Sequence, residues 1–171
     1  RYSFCDPAAN EGTLLAEENP YGFSQFNSLA LGGFLQWDGR DDEAWPTKGS
    51  TLALSGEISP SLGDVKTPFG KVASVGAIYL STGSVPLRPT MAIRVGGEKT
   101  WGKVPYQEAA TLGGSRGLRG FPEERFRGDA SLFLGSQLRL RIGDLPTILP
   151  GSWGATVSGE TGRVWVMMLI M

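Results

Sequence analysis

Between Ala130 and Ile142, apolar residues fall on alternate positions: Leu132, Leu134, Leu138, Leu140 and Ile142 share one face. Ser131, Gln137, Arg139 and Arg141 share the other, with Phe133 and Gly135. Successive side chains of an extended strand point to opposite sides, so this period of two predicts a strand over about 130–142 with one apolar and one wet face. Five more segments read as strands. Over about 27–38, Leu29, Leu31, Leu35 and Trp37 oppose Ala30, Phe34, Gln36 and Asp38. Over about 50–59, Leu52, Leu54 and Ile58 oppose Thr51, Ser55 and Glu57. The segment about 70–81 is apolar on both faces around Val75, Ala77, Ile78 and Tyr79, which leaves its register open. Over about 89–98, Met91, Ile93 and Val95 oppose Thr90, Arg94 and Gly96. Over about 152–165, Trp153, Ala155 and Val157 oppose Thr156, Ser158 and Glu160.

Glycine and proline punctuate the chain between these segments, as expected for strands joined by turns. The pattern therefore predicts an all-β, antiparallel protein. Alternation alone fits two architectures: a soluble sandwich turns the apolar face inward, and a membrane barrel turns it outward to lipid. Several segments run to about 10–13 residues, near the ~9–11 of a tilted membrane-crossing strand and long against the usual ~5–6. Trp37, Trp101, Trp153 and Trp165 stand at or near strand ends, where membrane barrels carry aromatic girdles. No stretch reaches the ~20 apolar residues of a spanning helix. The longest apolar run is Val164 to Met171.

Composition removes several chemistries. The 171 residues contain no histidine, which excludes imidazole-based triads and His-ligated metals. The single cysteine, Cys5, allows no internal disulfide and no multi-cysteine metal site. A net charge of −1 gives no basic footprint for nucleic acid. The chain opens on Arg1-Tyr2-Ser3-Phe4, without an initiator Met or an apolar leader, and stops abruptly at Met167-Met168-Leu169-Ile170-Met171. That suggests an excerpt of a longer protein. Residues 1–171 are expected to form one domain, with no second one.

The segment from about 100 to 129 breaks the hairpin rhythm. Most hairpin loops take about 2–5 residues, so a loop this long implies a function. It holds Gly113-Gly114-Ser115-Arg116-Gly117-Leu118-Arg119-Gly120-Phe121-Pro122, then Arg125, Phe126, Arg127 and Gly128. Such a loop can fold back and place an arginine fork in a polar site. Gly113 to Gly117 matches the G-x-S-x-G elbow, but that elbow needs a following helix and a histidine base, so Ser115 is not expected to be catalytic. Asp38, Asp41, Asp42 and Glu43 do not have calcium-loop spacing and read as a solvated turn. Glu123 and Glu124 have no acid/base partner. No catalytic residue, metal or cofactor is expected.

Gly113-Gly114, Leu118-Arg119-Gly120-Phe121 and Arg125-Phe126-x-Gly128 together resemble the conserved-loop signature of the BamA-like outer-membrane barrel superfamily, also called the bacterial surface antigen family. The strand Leu132 to Ile142 looks like the family's strand after that loop. Upstream, Asp38-Gly39-Arg40-Asp41 followed by Trp45-Pro46-Thr47-Lys48-Gly49 resembles its D-x-R-D … F-P-T-x-G segment. Downstream, Ser158-Gly159-Glu160-Thr161-Gly162-Arg163-Val164 is similar to its F/G-x-D-x-G-x-V strand. Glu160 stands where the family has Asp, and Ser158 where it has Phe or Gly.

The resemblance implies an antiparallel transmembrane β-barrel of 16 strands in the bacterial outer membrane, with the long loop folded into the lumen. This chain would supply about six to eight of the strands. Carried over residue by residue, the loop motif is Leu118, Arg119, Gly120 and Phe121, anchored by Glu160 and Gly162 on the later strand. The turn motif is Asp38, Arg40, Asp41, Pro46 and Gly49. Arg119 would pair with Glu160. A barrel with open edges leaves amides unsatisfied in lipid, so the segment alone is not expected to insert. The implied function is outer-membrane protein assembly and insertion or polypeptide translocation, with lipid and unfolded outer-membrane or secreted polypeptides as partners and no nucleic acid. Two alternatives are a non-catalytic anchor for a patatin-like lipase or metallophosphoesterase, and a soluble β-sandwich or lipocalin-like binder.

Overall fold

The computed structural model describes residues 2–3, 26–63, 65–83, 87–115, 117–145 and 151–166. Cys5, Arg116 and the end of the apolar run at 167–171 lie outside them. Two short strands, β1 (Tyr2–Ser3) and β2 (Phe26–Asn27), pair with each other. The main sheet contains β3 (Leu31–Asp38), β4 (Gly49–Ser59), β5 (Phe69–Ser81), β6 (Thr90–Gly102), β9 (Ala130–Leu145) and β10 (Gly151–Trp165). Its order is β10-β9-β6-β5-β4-β3, antiparallel throughout. Between β6 and β9 the chain makes a separate small hairpin, β7 (Ala110–Leu112) with β8 (Phe126–Gly128).

All six long segments of alternating sequence are strands of this one sheet. Three boundaries differ from the expected ones by three residues or more, and the strand expected over about 130–142 runs on to Leu145. The first strand begins at Leu31, so Leu29 precedes it. The fourth runs on to Gly102, because Lys71 to Phe69 continue the ladder opposite Thr100 to Gly102, so the long loop starts at Lys103 rather than near 100. Nor is that loop irregular throughout. A 3-10 turn at Tyr106–Glu108 and the β7–β8 hairpin give it structure of its own.

Register decides which residues share a face. Gln36, Ala53, Val75, Gly96, Phe133 and Gly162 are successive partners across the six strands and lie on one side. The 103–129 loop covers that side. On the other side are Leu35, Leu54, Ile78, Val95, Leu138 and Val157, all exposed, Val157 by 71%. The open question at 70–81 is resolved: Val75, Ala77 and Tyr79 take the loop side, and Ile78 and Leu80 the outer side. Trp37 and Trp153 stand near one end of the outer face, Trp101 and Trp165 near the other, and all four are exposed.

A soluble sandwich would cover this apolar face, since burial of apolar area is its main stabilisation. Here, among the described residues, the polar face carries the covering loop and the apolar face stays open, as in a barrel wall whose outside is solvated by lipid. The sheet is not closed. β3 and β10 are its edges among the described residues.

Candidate functional site: the loop seated on the polar wall

The seat is built on Glu160. Its position on the inward side of β10, opposite Gly135 of β9, leaves room above the sheet because Gly135 has no side chain. Glu160 Oε2 accepts the backbone N–H of Arg119 at 2.6 Å. Glu160 Oε1 lies 3.5 Å from Arg119 Nε and 3.4 Å from Arg94 Nη2. One carboxylate thus meets a loop amide and two guanidiniums. Its side chain is only 14% exposed, against 48% for Arg119. The stronger part of the Arg119–Glu160 contact is made by the main chain, not by the guanidinium.

Arg94 is the residue that sequence reading missed. From the inward side of β6 it donates from Nη1 to Ser115 O at 2.9 Å and from Nη2 to Gly117 O at 3.0 Å. Its guanidinium also stands 5.1 Å from the centre of the Phe133 ring. It therefore holds two carbonyls of the loop turn while sharing Glu160. The only sequence signal was its polar-face position beside Thr90 and Gly96. Nothing in the alternation shows that a loop some twenty residues away presents carbonyls there.

The loop motif adopts a tight turn in which Phe121 N–H donates to Leu118 O at 3.2 Å. Leu118 is buried with Leu112 and Phe133, and Val164 packs against them. Gly162 makes this cluster possible, because a Cβ there would come within 2.9 Å of Leu112 Cδ2 and 3.0 Å of Leu132 O. Gly120 has open space around it. Phe121 is exposed and meets Phe126 edge-on, with ring centres 5.3 Å apart. At the base of the loop, Glu98 of β6 accepts Thr111 N–H at 3.0 Å and pairs with Lys71 of β5 at 3.2 Å. Arg127 donates to Tyr106 O at 2.9 Å and lies 4.7 Å over the Tyr106 ring. Between loop and wall there remains a cleft of about 880 Å³, lined in part by Phe34, Gln36, Ser55, Lys71, Glu98 and Glu123.

The turn motif forms a second, separate unit between β3 and β4. Arg40 grips Asp38, with Nε 2.8 Å from Oδ1 and Nη2 2.5 Å from Oδ2. Its Nη1 donates to Glu43 O at 3.0 Å. Asp41 Oδ1 accepts Thr47 N–H at 2.8 Å and Lys48 N–H at 3.0 Å, and Oδ2 accepts the Thr47 hydroxyl. The N–H of Lys48, then the Thr47 hydroxyl and N–H, hold the Asp41 carboxyl well below the usual carboxylate range. Gly49 has φ +109°, and a Cβ there would collide with Gly39 O. Pro46 is buried, and Trp45 lies against Arg139, whose guanidinium is 5.3 Å from its ring. Asp38, Asp41 and Asp42 of this turn are thus engaged by arginine and by backbone amides, Asp42 Oδ1 accepting Trp45 N–H at 2.6 Å. Among the described residues, no cluster of His, Cys, Asp and Glu is arranged to hold a metal. Ser115 is exposed at a turn, and its carbonyl serves Arg94.

A lipid-facing antiparallel wall with a long loop seated on its polar side defines a segment of an outer-membrane β-barrel. The family model for the Omp85 superfamily domain matches residues 8–146, and the chain belongs to this superfamily of bacterial outer-membrane proteins. The match takes in the turn motif, the loop motif and all of β9, while Glu160 and Gly162 lie beyond it. No curated protein matches the chain.

Proposed function

We propose that the protein lies in the bacterial outer membrane and serves the assembly and insertion of outer-membrane proteins or the passage of polypeptides, without catalysis by this segment. Its outer face would be solvated by lipid, and its clients would be unfolded outer-membrane or secreted chains. The observation that carries this reading is the loop seated by Glu160 and Arg94 on adjoining strands of a polar wall. The loop is held on the wall by these polar contacts and by one small apolar cluster of Leu112, Leu118 and Phe133, and lumen access for a polypeptide requires that seat to open.

The test is a double-mutant cycle in the protein in its own membrane. Arg119→Ala and Glu160→Ala should each lower the level of folded, heat-modifiable protein and of outer-membrane clients. Together they should do less than the sum, because both remove the Arg119–Glu160 ion pair. Additive losses reject the pair. Normal client levels in a variant whose loop is shown by protease access to be unseated reject the assembly role.

A further inference from the structure

Three arginines, Arg94, Arg119 and Arg139, line a small inward cavity of about 30 Å³ together with Gln137, Ser158 and Glu160. Glu160 is the sole carboxylate among the described residues of that lining. It is shared between Arg94 and Arg119. Arg139 is held differently. Its Nε and Nη2 donate to Gln137 Oε1 at 3.1 and 2.8 Å. The rings of Trp45 and Tyr79 lie 5.3 and 5.9 Å from its guanidinium carbon. Every one of these partners is neutral. They fix the plane of the guanidinium without cancelling its charge, and they leave Nη1 free of any hydrogen bond among the described residues.

We propose that this cavity binds a small monovalent anion, a carboxylate group or a halide, with Arg139 as its principal ligand. The size fits, since roughly 10–15 Å³ already accommodates one water. The charge fits, because three guanidiniums against one carboxylate leave two positive charges on the lining. The geometry fits, since a guanidinium held planar loses little freedom when its N–H groups meet an anion. Ser158, cross-strand from Gln137, adds a hydroxyl on the same side. The site does not depend on the assembly role. It requires only the sheet, the turn that brings Trp45 over Arg139, and the seated loop.

Trp45 makes the proposal measurable. The other four of the five tryptophans stand on the outer face, so Trp45 alone touches Arg139. Iodide is both an anion and a fluorescence quencher. In the intact protein in detergent, with ionic strength held constant by fluoride, whose strong hydration makes it the weakest halide competitor for a weakly hydrated guanidinium, iodide should quench a fraction of the emission saturably. That fraction should be missing in Trp45→Phe. In Arg139→Gln the saturation should weaken about tenfold, equal to about 1.4 kcal/mol, while Arg139→Lys weakens it less. Neutral acrylamide should quench linearly in all variants, and the heat-modifiable gel shift identifies any variant that fails to fold. Relief of the quenching by acetate assigns a free ion as a ligand. Relief also by a blocked Gly-Asp-Gly peptide extends the site to a carboxylate carried on a polypeptide. Linear iodide quenching that is unchanged in Trp45→Phe overturns the proposal.

Discussion

At the scale of single residues, Glu160 and Arg119 are not equal partners. Removing Glu160 takes away the acceptor of the Arg119 amide and leaves Arg94, only 20% exposed, without its carboxylate. Breaking one side of a desolvated ion pair costs about 3–5 kcal/mol, less in a wet lumen. Arg119→Ala keeps the amide bond and loses a half-exposed guanidinium 3.5 Å away, a contact worth less than about 1 kcal/mol. Thermal unfolding in detergent should therefore rank Glu160→Ala well below Arg119→Ala, with Arg94→Ala near the former, and equal losses would refute this division. Asp41 supplies a pH prediction. An unfolded Asp titrates near about 3.9, and the folded carboxyl lies lower, so its stabilisation of the turn is complete above that value and fades as pH falls through the folded value. Amide exchange should show Thr47 and Lys48 protected at pH 5 and less protected in acid. Asp41→Asn should exchange quickly already at pH 5, and equal protection in the two proteins would contradict the assignment.

At the scale of elements, glycine sets how closely the loop meets the wall. Gly162→Val would drive a side chain into Leu112 and the Leu132 carbonyl, so the β7–β8 hairpin should lift. Gly120→Ala, though inside the loop motif, meets nothing within 4 Å and should leave the loop seated. Limited proteolysis of the 113–121 segment distinguishes them, with rapid cleavage expected only for Gly162→Val. Rapid cleavage of Gly120→Ala would mean that the glycine serves a second loop position. The hairpin has its own apolar footing, Leu112 and Leu118 on Phe133, so the loop is seated by packing as well as by charge.

At the scale of the whole molecule, the sheet is a wall with two solvents. Leu138, midway along β9, faces outward, and Ser55 of β4 lines the inward cleft. Arginine near a bilayer midplane on the lipid face costs about 2–4 kcal/mol, whereas lumen positions tolerate charge. Leu138→Arg should lower the folded fraction in lipid vesicles by that order, and Ser55→Arg should leave it nearly unchanged. A similar loss at both positions would remove the lipid-facing assignment.

The sequence by itself determined the six long strands, because a period of two is a local property that any register preserves. It also determined the face each residue takes wherever that face was purely apolar or polar. Glu160 was already on the wet side of its strand, and the acids at 38–43 already read as a solvated turn. Only the tertiary structure decided the rest. The face of 70–81 was undetermined because both sides are apolar, and it was fixed by pairing with β4 and β6. Arg94 joined the seat because β6 and β10 each flank β9, which brings residues 66 positions apart to one carboxylate. Arg139 came under Trp45 because the β3–β4 turn reaches back across β5 and β6 to β9. Such contacts depend on strand order, and local patterning carries no record of it.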